Sequence, residues 1–345
     1  MRAWVVDHPE RVEGSPLRSV TRPIPEAGDR EVRVRVVASG VCRTDLHLAE
    51  GDLAPKHFLV TPGHEIVGVI DARGPGADRF SVGDRVGIAW LAQTCGLCRF
   101  CARGDENLCL APSFTGWDRD GGFAEFATAH EDFVYSLPDG YDDVHAAPLL
   151  CSGIIGYRAL RRARVSRGGR LGIYGFGASA HITAQLARAE GIRVHVMTRS
   201  EPARRLALEL GCSSAGGASD EPPEPLDGAV LFAPVGTLVP TALAALDRGG
   251  TLAIAGIHLS DIPALNYQRH LFQERTVTST TANTRRDGEE FLALAARIPL
   301  RVEATEYPLD AADQALRDLA ADRVVGAAVL RVAEGDRPTP SHDSR

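Results

Sequence analysis

The chain has 345 residues and a formal net charge of −7, with 44% hydrophobic and 24% charged residues, the ordinary balance of a globular protein. It contains no apolar run of about 20 residues, no basic block and no N-terminal apolar leader, which argues against a membrane span, nucleic-acid binding and secretion. We therefore expect a cytoplasmic protein with reduced thiols, and the length predicts two domains.

The first 150 residues are rich in short β-strand signals. Three segments show alternation or β-branched runs bounded by Gly, Pro or Asp, and these are EVRVRVVASG (31–40), EIVGVIDA (65–72) and VGDRVGIA (82–89). The pattern predicts a β-rich unit in the N-terminal half.

From residue 151 onward, helical patterns alternate with short apolar strands. The predicted helices are CSGIIGYRALRRA (151–163), ASAHITAQLARAE (178–190), PARRLALELG (202–211), PTALAALDRGG (240–250), GEEFLALAA (288–296) and LDAADQALRDLAAD (309–322). The predicted strands are RLGIYG (170–175), RVHVMT (193–198), GAVLFAP (228–234), GTLAIAGI (250–257) and GAAVLRV (326–332). Such alternation indicates a parallel sheet with right-handed crossovers.

Four of the seven cysteines lie within fifteen residues, in CGLCRFCARGDENLC (95–109). Their C-x2-C-x2-C-x7-C spacing suits one tetrahedral zinc ion with four sulfur ligands. Bacterial ferredoxins begin in the same way but continue with x3-C-P, whereas here the last gap is seven and Leu110 follows. The spacing therefore favours a closed structural zinc site, which leaves the chemistry to be sought elsewhere.

A second, dispersed set of potential ligands lies in GVCRTDLH (40–47), TPGHE (61–65) and PLLCSG (148–153). Two thiols and an imidazole would leave the fourth position of a zinc ion open for water or substrate, as in catalytic sites. Taken singly, each of these residues could equally be a buried thiol or a core histidine.

The chain resembles the medium-chain, zinc-dependent alcohol dehydrogenases from about Val5 to Val332, and most closely the bacterial branch near the cinnamyl-alcohol type. The matching stretches are GVCRTDLH, TPGHEIVG, VGDRVGIAW, the cysteine cluster, GGFAEF, PLLCSGIIGYRAL, YGFGASA and GGTLAIAGI. The resemblance implies a catalytic zinc held by Cys42, His64 and Cys151, with Glu65 close behind the metal as a transient ligand. It also implies a structural zinc held by Cys95, Cys98, Cys101 and Cys109.

The same resemblance implies roles for four further residues. Asp45 would orient the ligand imidazole, Thr44 and His47 would carry the alcohol proton to solvent, and Trp90 would line the substrate pocket. The alternative interpretations are a helix cap for Thr44, a surface histidine for His47 and core packing for Trp90.

The segment YGFGASA predicts a dinucleotide loop, because its G-x-G-x-x-A follows a predicted strand and opens a helix. Gly175 would allow the tight turn, and the backbone at Gly177 and Ala178 would approach the pyrophosphate at the positive end of the helix. The resemblance adds Arg43, which reaches the pyrophosphate from the other domain.

Cofactor choice depends on the residues after the second strand of this unit. NAD-binding domains carry an acidic residue there, whereas this chain has Thr198, Arg199 and Ser200. Two hydroxyls and a guanidinium suit a 2′-phosphate, so NADP(H) is favoured and NAD(H) is the alternative.

Together these features predict an α/β protein with two domains. A GroES-like, β-rich catalytic domain (1–152 and 283–345) is expected beside a doubly wound Rossmann domain (153–282). The expected activity is zinc-dependent oxidation of a primary alcohol, or reduction of an aldehyde, with two zinc ions per chain, in a homodimer or homotetramer. Two alternatives are a zinc-free quinone or enoyl reductase of the same superfamily and a non-catalytic nucleotide sensor.

Overall fold

The computed structural model describes residues 1–333. The strands are β1 (Arg2–Val6), β2 (Leu17–Thr21), β3 (Glu31–Val41), β4 (Glu65–Arg73), β5 (Arg85–Ile88), β6 (Leu91–Gln93), β7 (Ser113–Phe114), β8 (Phe126–His130), β9 (Val134–Ser136), β10 (Arg170–Tyr174), β11 (Arg193–Met197), β12 (Ser214–Gly216), β13 (Leu226–Leu231), β14 (Leu246–Ile254), β15 (Thr276–Ser279), β16 (Ala304–Pro308) and β17 (Ala327–Arg331). The helices are α1 (Arg43–Glu50), α2 (Arg99–Ala102), α3 (Asp143–Ala146), α4 (Ser152–Ala163), α5 (Ala178–Ala189), α6 (Glu201–Glu209), α7 (Leu238–Ala245), α8 (Tyr267–His270), α9 (Arg285–Ala295) and α10 (Ala312–Ala320). None of these helices is both long and apolar enough to cross a lipid bilayer.

One sheet joins strands from both ends of the described chain. Its strand order is β16-β17-β3-β4-β5-β9, with β8 also paired to β3, and the pairs around β3 are antiparallel. The valines at 32, 34 and 36 of β3 are fully buried while the arginines between them are not, as the strand period of two requires. This sheet is the GroES-like, β-rich unit.

The second sheet is parallel throughout the described residues, in the order β12-β11-β10-β13-β14-β15. This is the 3-2-1-4-5-6 order of the Rossmann fold, whose strand order reverses between β10 and β13. Ligands of such sheets bind beyond the carboxyl ends of the strands at this reversal, which places the loop after Tyr174 at the expected position.

One predicted helix is too long. The pattern predicted helix through residues 240–250, but α7 ends at Ala245 and the chain continues as β14 from Leu246. Leu246 is already extended, and Gly249 has φ +73°, a conformation that favours glycine and that a right-handed helix does not contain. Leu246 pairs instead with Leu226 of β13, so tertiary pairing outweighs the helical propensity of the segment.

The two sheets share a continuous core. One cluster of buried residues extends from Ala38 of β3 and Val67 of β4 to Leu171 of β10 and Phe291 of α9. The connection runs through the buried segment 146–163, which contains the end of α3, a short 3-10 helix and α4. Cys151 therefore lies where the chain passes from one sheet to the other.

Candidate active site and metal centres

Four side chains with metal-binding atoms converge between the sheets. They belong to Cys42, His64, Glu65 and Cys151, and one such atom from each lies within 4.8 Å of those of the other three. Cys42 follows β3, His64 and Glu65 stand at the start of β4, and Cys151 precedes α4. The sequence prediction named these four residues, and the fold brings them together.

Asp45 ties two of these segments to each other. Its Oδ2 accepts a hydrogen bond from the Cys42 backbone N–H (2.9 Å), and its Oδ1 accepts one from the Gly63 N–H (2.9 Å). The same Oδ1 lies 3.5 Å from Nδ1 of His64. Gly63 has φ +99°, so glycine is required in the turn that presents the imidazole. Asp45 thus fixes the spacing of Cys42 and His64 before any ligand binds.

The site concentrates negative charge away from water. The hydrogen bond from Cys151 lowers the pKa of the Cys42 thiol well below its ordinary value. Burial and the Cys42 thiolate raise the pKa of Glu65 well above its ordinary value. Burial lowers the pKa of His64, but the charges of Asp45 and Cys42 outweigh it and raise this pKa well above its ordinary value. The environment therefore favours the thiolate of Cys42 while His64 and Glu65 keep their protons, and a divalent cation can replace protons in such a buried cluster.

Three buried polar atoms of this site have no hydrogen-bond partner within residues 1–333. Neither ring nitrogen of His64 nor Oε2 of Glu65 has a hydrogen-bond partner among residues 1–333, although all three atoms are buried. Buried polar atoms are nearly always satisfied, so atoms left over here call for a ligand. Two sulfurs, an imidazole nitrogen and a nearby carboxylate form a donor set that zinc prefers.

The position of Glu65 depends on a glycine in the neighbouring strand. A Cβ on Gly40 would lie 1.9 Å from Oε2 of Glu65, closer than any side-chain contact tolerates. Gly40 pairs directly with Glu65 in the β3–β4 ladder. Because Gly40 has no side chain, the Glu65 carboxylate has room to lie beside Cys42, His64 and Cys151.

The four clustered cysteines form a second group. Their sulfurs lie within 4.8 Å of one another, with contacts of 3.4 Å (Cys95–Cys109), 3.6 Å (Cys98–Cys101) and 4.0 Å (Cys95–Cys101). A tetrahedron of sulfurs at the usual zinc–sulfur distance of about 2.3 Å has edges of about 3.8 Å, which the observed spacing matches. All seven cysteines of the chain are free thiols, so these contacts are not disulfides.

Backbone N–H groups donate to sulfurs of this cluster, whereas burial and hydrogen bonds with Cys109 and Cys98 raise the pKa of Cys101 to about 12. N–H groups of Cys101 and Leu110 hydrogen-bond to Cys98 and lower its pKa to about 6. The N–H of Cys98 donates to the sulfur of Cys95 (3.4 Å), and those of Cys95 and Ala111 donate to Cys109 (3.3 and 3.4 Å). Donors aimed at sulfur stabilise negative charge on it, as a four-thiolate metal site requires.

The two predicted relay residues lie on one face of α1. Thr44 is buried with its Oγ1 3.6 Å from Sγ of Cys42, and His47 follows three residues later, on the same side of the helix. Nδ1 of His47 contacts Oδ2 of Asp52 at 2.9 Å, and this hydrogen bond lowers the pKa of Asp52. The His47 ring also lies 5.6 Å from the ring of His258, which comes from the loop after β14.

The predicted dinucleotide loop stands at the strand-order reversal. Gly175 follows β10 with φ +86°, and a Cβ there would come within 2.9 Å of the Ala233 backbone after β13. Gly177 caps α5, which begins at Ala178, and a Cβ on Gly177 would meet no atom of residues 1–333 within 4 Å. The helix N terminus is therefore open above a glycine, the arrangement in which backbone N–H groups receive a phosphate.

The residues predicted to select the cofactor differ in exposure. Thr198 is buried, and its N–H donates to the Gly216 carbonyl (3.0 Å). The hydroxyl of Ser200 accepts from Ala203 N–H (3.4 Å) and caps α6. Arg199 is 85% exposed, which leaves it as the most accessible of the three.

Two domain families match the sequence. The family described as "Alcohol dehydrogenase GroES-like domain" matches residues 28–139, and "Zinc-binding dehydrogenase" matches residues 180–297. The first contains most of the β-rich sheet, and the second most of the parallel sheet.

Curated relatives match over nearly the whole chain. A probable alcohol dehydrogenase of Mycobacterium tuberculosis is 57% identical over 337 residues, which cover 96% of this chain and 97% of the relative. The chain belongs to the medium-chain alcohol dehydrogenase family. An alcohol dehydrogenase of Geobacillus stearothermophilus is 35% identical over 97% of this chain and 100% of its own. The structure of a cinnamyl alcohol dehydrogenase from Sorghum bicolor, at 26% identity, aligns with a TM-score of 0.85 over 96% of this chain and 97% of its own.

An aromatic wall borders the candidate catalytic centre of this dehydrogenase. Trp90 packs edge-on against His64, with ring centroids 5.0 Å apart. Phe114 stacks on Trp90 at 4.8 Å, and Trp117 lies 6.1 Å from Trp90 in a nearly parallel plane. Only Trp90 was predicted, because Phe114 and Trp117 reach it through the β6–β7 hairpin, which has no strong sequence signal.

Sequence reasoning also missed two acidic residues of the dehydrogenase. Asp52 contacts His47, and Asp322 contacts both Arg43 and Arg199. Asp52 is five residues from His47, so a search for acids beside the predicted relay could have found it. Asp322 is 279 residues from Arg43, and no local pattern connects the two.

Proposed function

We propose that this alcohol dehydrogenase oxidises a primary alcohol, or reduces the corresponding aldehyde, with zinc at the centre formed by Cys42, His64 and Cys151. The observation that carries the proposal is the buried His64 imidazole beside two thiols, since its Nδ1 faces Asp45 and its Nε2 has no hydrogen-bond partner among residues 1–333. Zinc bound there would act as a Lewis acid toward the substrate oxygen. Glu65 lies close enough to serve as an intermittent fourth protein ligand.

The surrounding residues would prepare the site and export the proton. Asp45 holds the two ligand segments in register and faces the imidazole. The buried Thr44 hydroxyl would accept the alcohol proton, and His47, held by its contact with Asp52, would release a proton to solvent. The aromatic wall around Trp90 would exclude water and favour hydrophobic alcohols.

A second zinc ion is proposed for the cluster of Cys95, Cys98, Cys101 and Cys109. Its sulfur spacing and backbone donors suit a closed site with no position for substrate. The thiols of both centres need a reducing compartment, which supports a cytoplasmic location.

We further propose that the catalytic domain comprises residues 1–152 and 283–345 and that the cofactor domain comprises 153–282. The two sheets support this division, and residues 334–345 lie outside the described part of the chain. A homodimer or homotetramer is also proposed. In support, no strand within residues 1–333 pairs with the outer edge of β15, so a second copy could add a strand there.

The test of the function is a metal analysis together with a panel of alcohols and aldehydes run with NADH and NADPH. We expect about two zinc ions per chain, the number implied by the two ligand sets, and turnover of hydrophobic primary alcohols or aldehydes. A metal-free protein that reduces quinones or enones would contradict the proposal, and so would a zinc protein that turns over no substrate of the panel.

NADP(H) is proposed as the preferred cofactor. The three residues after Met197 at the end of β11, where an NAD-binding domain would carry a carboxylate, contain none, and Glu201 comes only as the first residue of α6. The exposed Arg199 and the hydroxyl of Ser200 stand there instead, and guanidinium groups bind phosphate oxygens in pairs.

Replacing Arg199 with alanine should lower kcat/KM for NADPH by about 10-fold or more, because a charged hydrogen bond to phosphate is lost. The value for NADH should stay within about twofold, since NADH has no 2′-phosphate. Steady-state kinetics with one good aldehyde measure both. Arg193→Ala is the matched control, because Arg193 is an exposed arginine at the opposite end of β11. A wild-type preference for NADH, or undiminished NADPH efficiency in Arg199→Ala, would overturn the proposal.

Replacing His47 with glutamine should slow alcohol oxidation by about 10-fold near pH 6 and by much less near pH 9. The reason is that hydroxide and other solvent bases can replace an imidazole relay only at high pH, where these bases are abundant. The measurement is the pH dependence of kcat in the oxidation direction. His145→Gln is the control, because His145 contacts Asp142 through Nδ1 at 2.7 Å in a similar pair on the surface. A pH–rate profile that matches the wild type would remove His47 from the mechanism.

A further inference from the structure

One carboxylate contacts both arginines assigned to the cofactor. Oδ1 of Asp322 lies 2.5 Å from Nη2 of Arg43, and its Oδ2 lies 3.0 Å from Nη2 of Arg199. Arg43 begins α1, Arg199 follows β11, and Asp322 comes just after α10. Three elements distant in sequence thus meet at the Asp322 carboxylate, and each of its oxygens contacts a different guanidinium group.

The backbone holds Asp322 in this position. Asp322 has φ 54°, and its N–H donates to the Leu319 carbonyl (3.3 Å). The next residue, Arg323, is anchored to Asp318 through its backbone N–H (2.9 Å, to the carbonyl) and its guanidinium (2.6 Å, to Oδ1). The turn therefore directs the carboxylate toward the two arginines through its own hydrogen bonds. The ion pairs contribute little to this, because exposed pairs are weak.

The contacts resemble those that a phosphate would make. All three side chains are partly exposed, from 46% for Arg43 to 85% for Arg199, so a ligand can reach them. A cofactor phosphate that needs these guanidinium groups must displace the carboxylate or lie beside it. Two negative charges a few ångströms apart repel, so the carboxylate weakens the binding of the more highly charged cofactor. The same carboxylate can accept hydrogen bonds from ribose hydroxyls, which NADH retains and NADPH has partly lost to its phosphate.

We propose that Asp322 is a specificity-determining residue that disfavours NADP(H) by occupying the guanidinium group of Arg199, the group proposed to bind the 2′-phosphate. The proposal rests on the placement of the adenosine ribose beside Arg199 under the proposed function. On this view, Asp322 supplies from the catalytic domain the acidic group that is missing after β11. Arg199 favours the 2′-phosphate and Asp322 opposes it, so the cofactor preference of the enzyme is the balance of the two.

The test is Asp322→Asn, with dissociation constants for NADPH and NADH measured by quenching of tryptophan fluorescence. Asparagine tolerates the left-handed backbone as well as aspartate does, so the turn is kept. We expect NADPH to bind about fivefold more tightly and NADH to change by less than about twofold, the size typical of one exposed charge pair. The gain should shrink at high salt, where exposed charges are screened. Binding of 2′,5′-ADP should improve in parallel.

Two further variants make the result specific. Asp310→Asn removes the same charge from an exposed carboxylate that contacts Arg2, and it should leave the ratio of the two affinities unchanged. In Arg199→Ala/Asp322→Asn the NADPH gain should disappear. An unchanged ratio in Asp322→Asn, or a shift toward NADH, would overturn this inference. A wild type that prefers NADH would refute the proposed cofactor alone, because a shift toward NADPH in Asp322→Asn would still support the role of Asp322.

Discussion

Replacing Cys42 with serine is expected to lower kcat by at least about 1,000-fold while the protein stays folded. The thiol supplies one of three protein ligands to the proposed catalytic zinc, and loss of Lewis-acid stabilisation costs several kcal/mol of transition-state binding. Serine can still cap α1, because its hydroxyl replaces the sulfur that accepts the Thr44 N–H (3.4 Å). Turnover, zinc content and circular dichroism together measure the effect.

Two other cysteines provide the comparison. Cys151→Ser should show the same loss of turnover and of one zinc per chain. Cys212→Ser should keep both, because Cys212 is a buried thiol outside the two clusters. An active Cys42→Ser enzyme with full zinc content would show that the catalytic centre lies elsewhere.

Replacing Cys98 with serine should lower the melting temperature by roughly 5–10 °C and leave kcat within about threefold. A closed metal site contributes its binding free energy to folding, and a loss of a few kcal/mol shifts the transition of a chain this size by several degrees. Thermal unfolding and zinc analysis would show a less stable protein that retains one zinc ion.

The neighbouring Leu97 provides a matched control for this variant. Its side chain is 90% exposed in the same loop, so Leu97→Ser should change neither zinc content nor melting temperature. A Cys98→Ser protein that is fully stable yet inactive would reverse the assignment of the two zinc centres.

Sequence patterns predicted the features whose geometry depends on residues close together in the chain. The cysteine spacing places four sulfurs together because the loop closes on itself within fifteen residues. The dinucleotide loop was predictable because a glycine turn between a strand and a helix leaves few conformations, and Gly175 adopts the one expected. The convergence of Cys42, His64 and Cys151 came only from the family resemblance, since the three lie on separate elements.

The missed features depend on contacts between distant segments. Trp117 joins Trp90 only through the pairing of β6 and β7, and Asp322 joins Arg43 across 279 residues. The predicted helix 240–250 shows the same limit, because Leu246 lies within a good helical pattern but pairs with β13 instead. A single sequence carries no local signal for such pairings.

The shared core has a consequence for how separable the two halves of the enzyme are. Gly153 of α4 packs so closely on α9 that a Cβ there would lie 2.4 Å from the Phe291 ring, and Phe291 belongs to the buried cluster that spans the two sheets. A fragment cut at residues 153 and 282 would keep all six parallel strands but lose Phe291, exposing an apolar face of α4. The boundaries that divide the sheets therefore cut through the core on the α4 side of the parallel sheet, while the cluster of Tyr174, Leu231 and Leu243 lies wholly within the cofactor half.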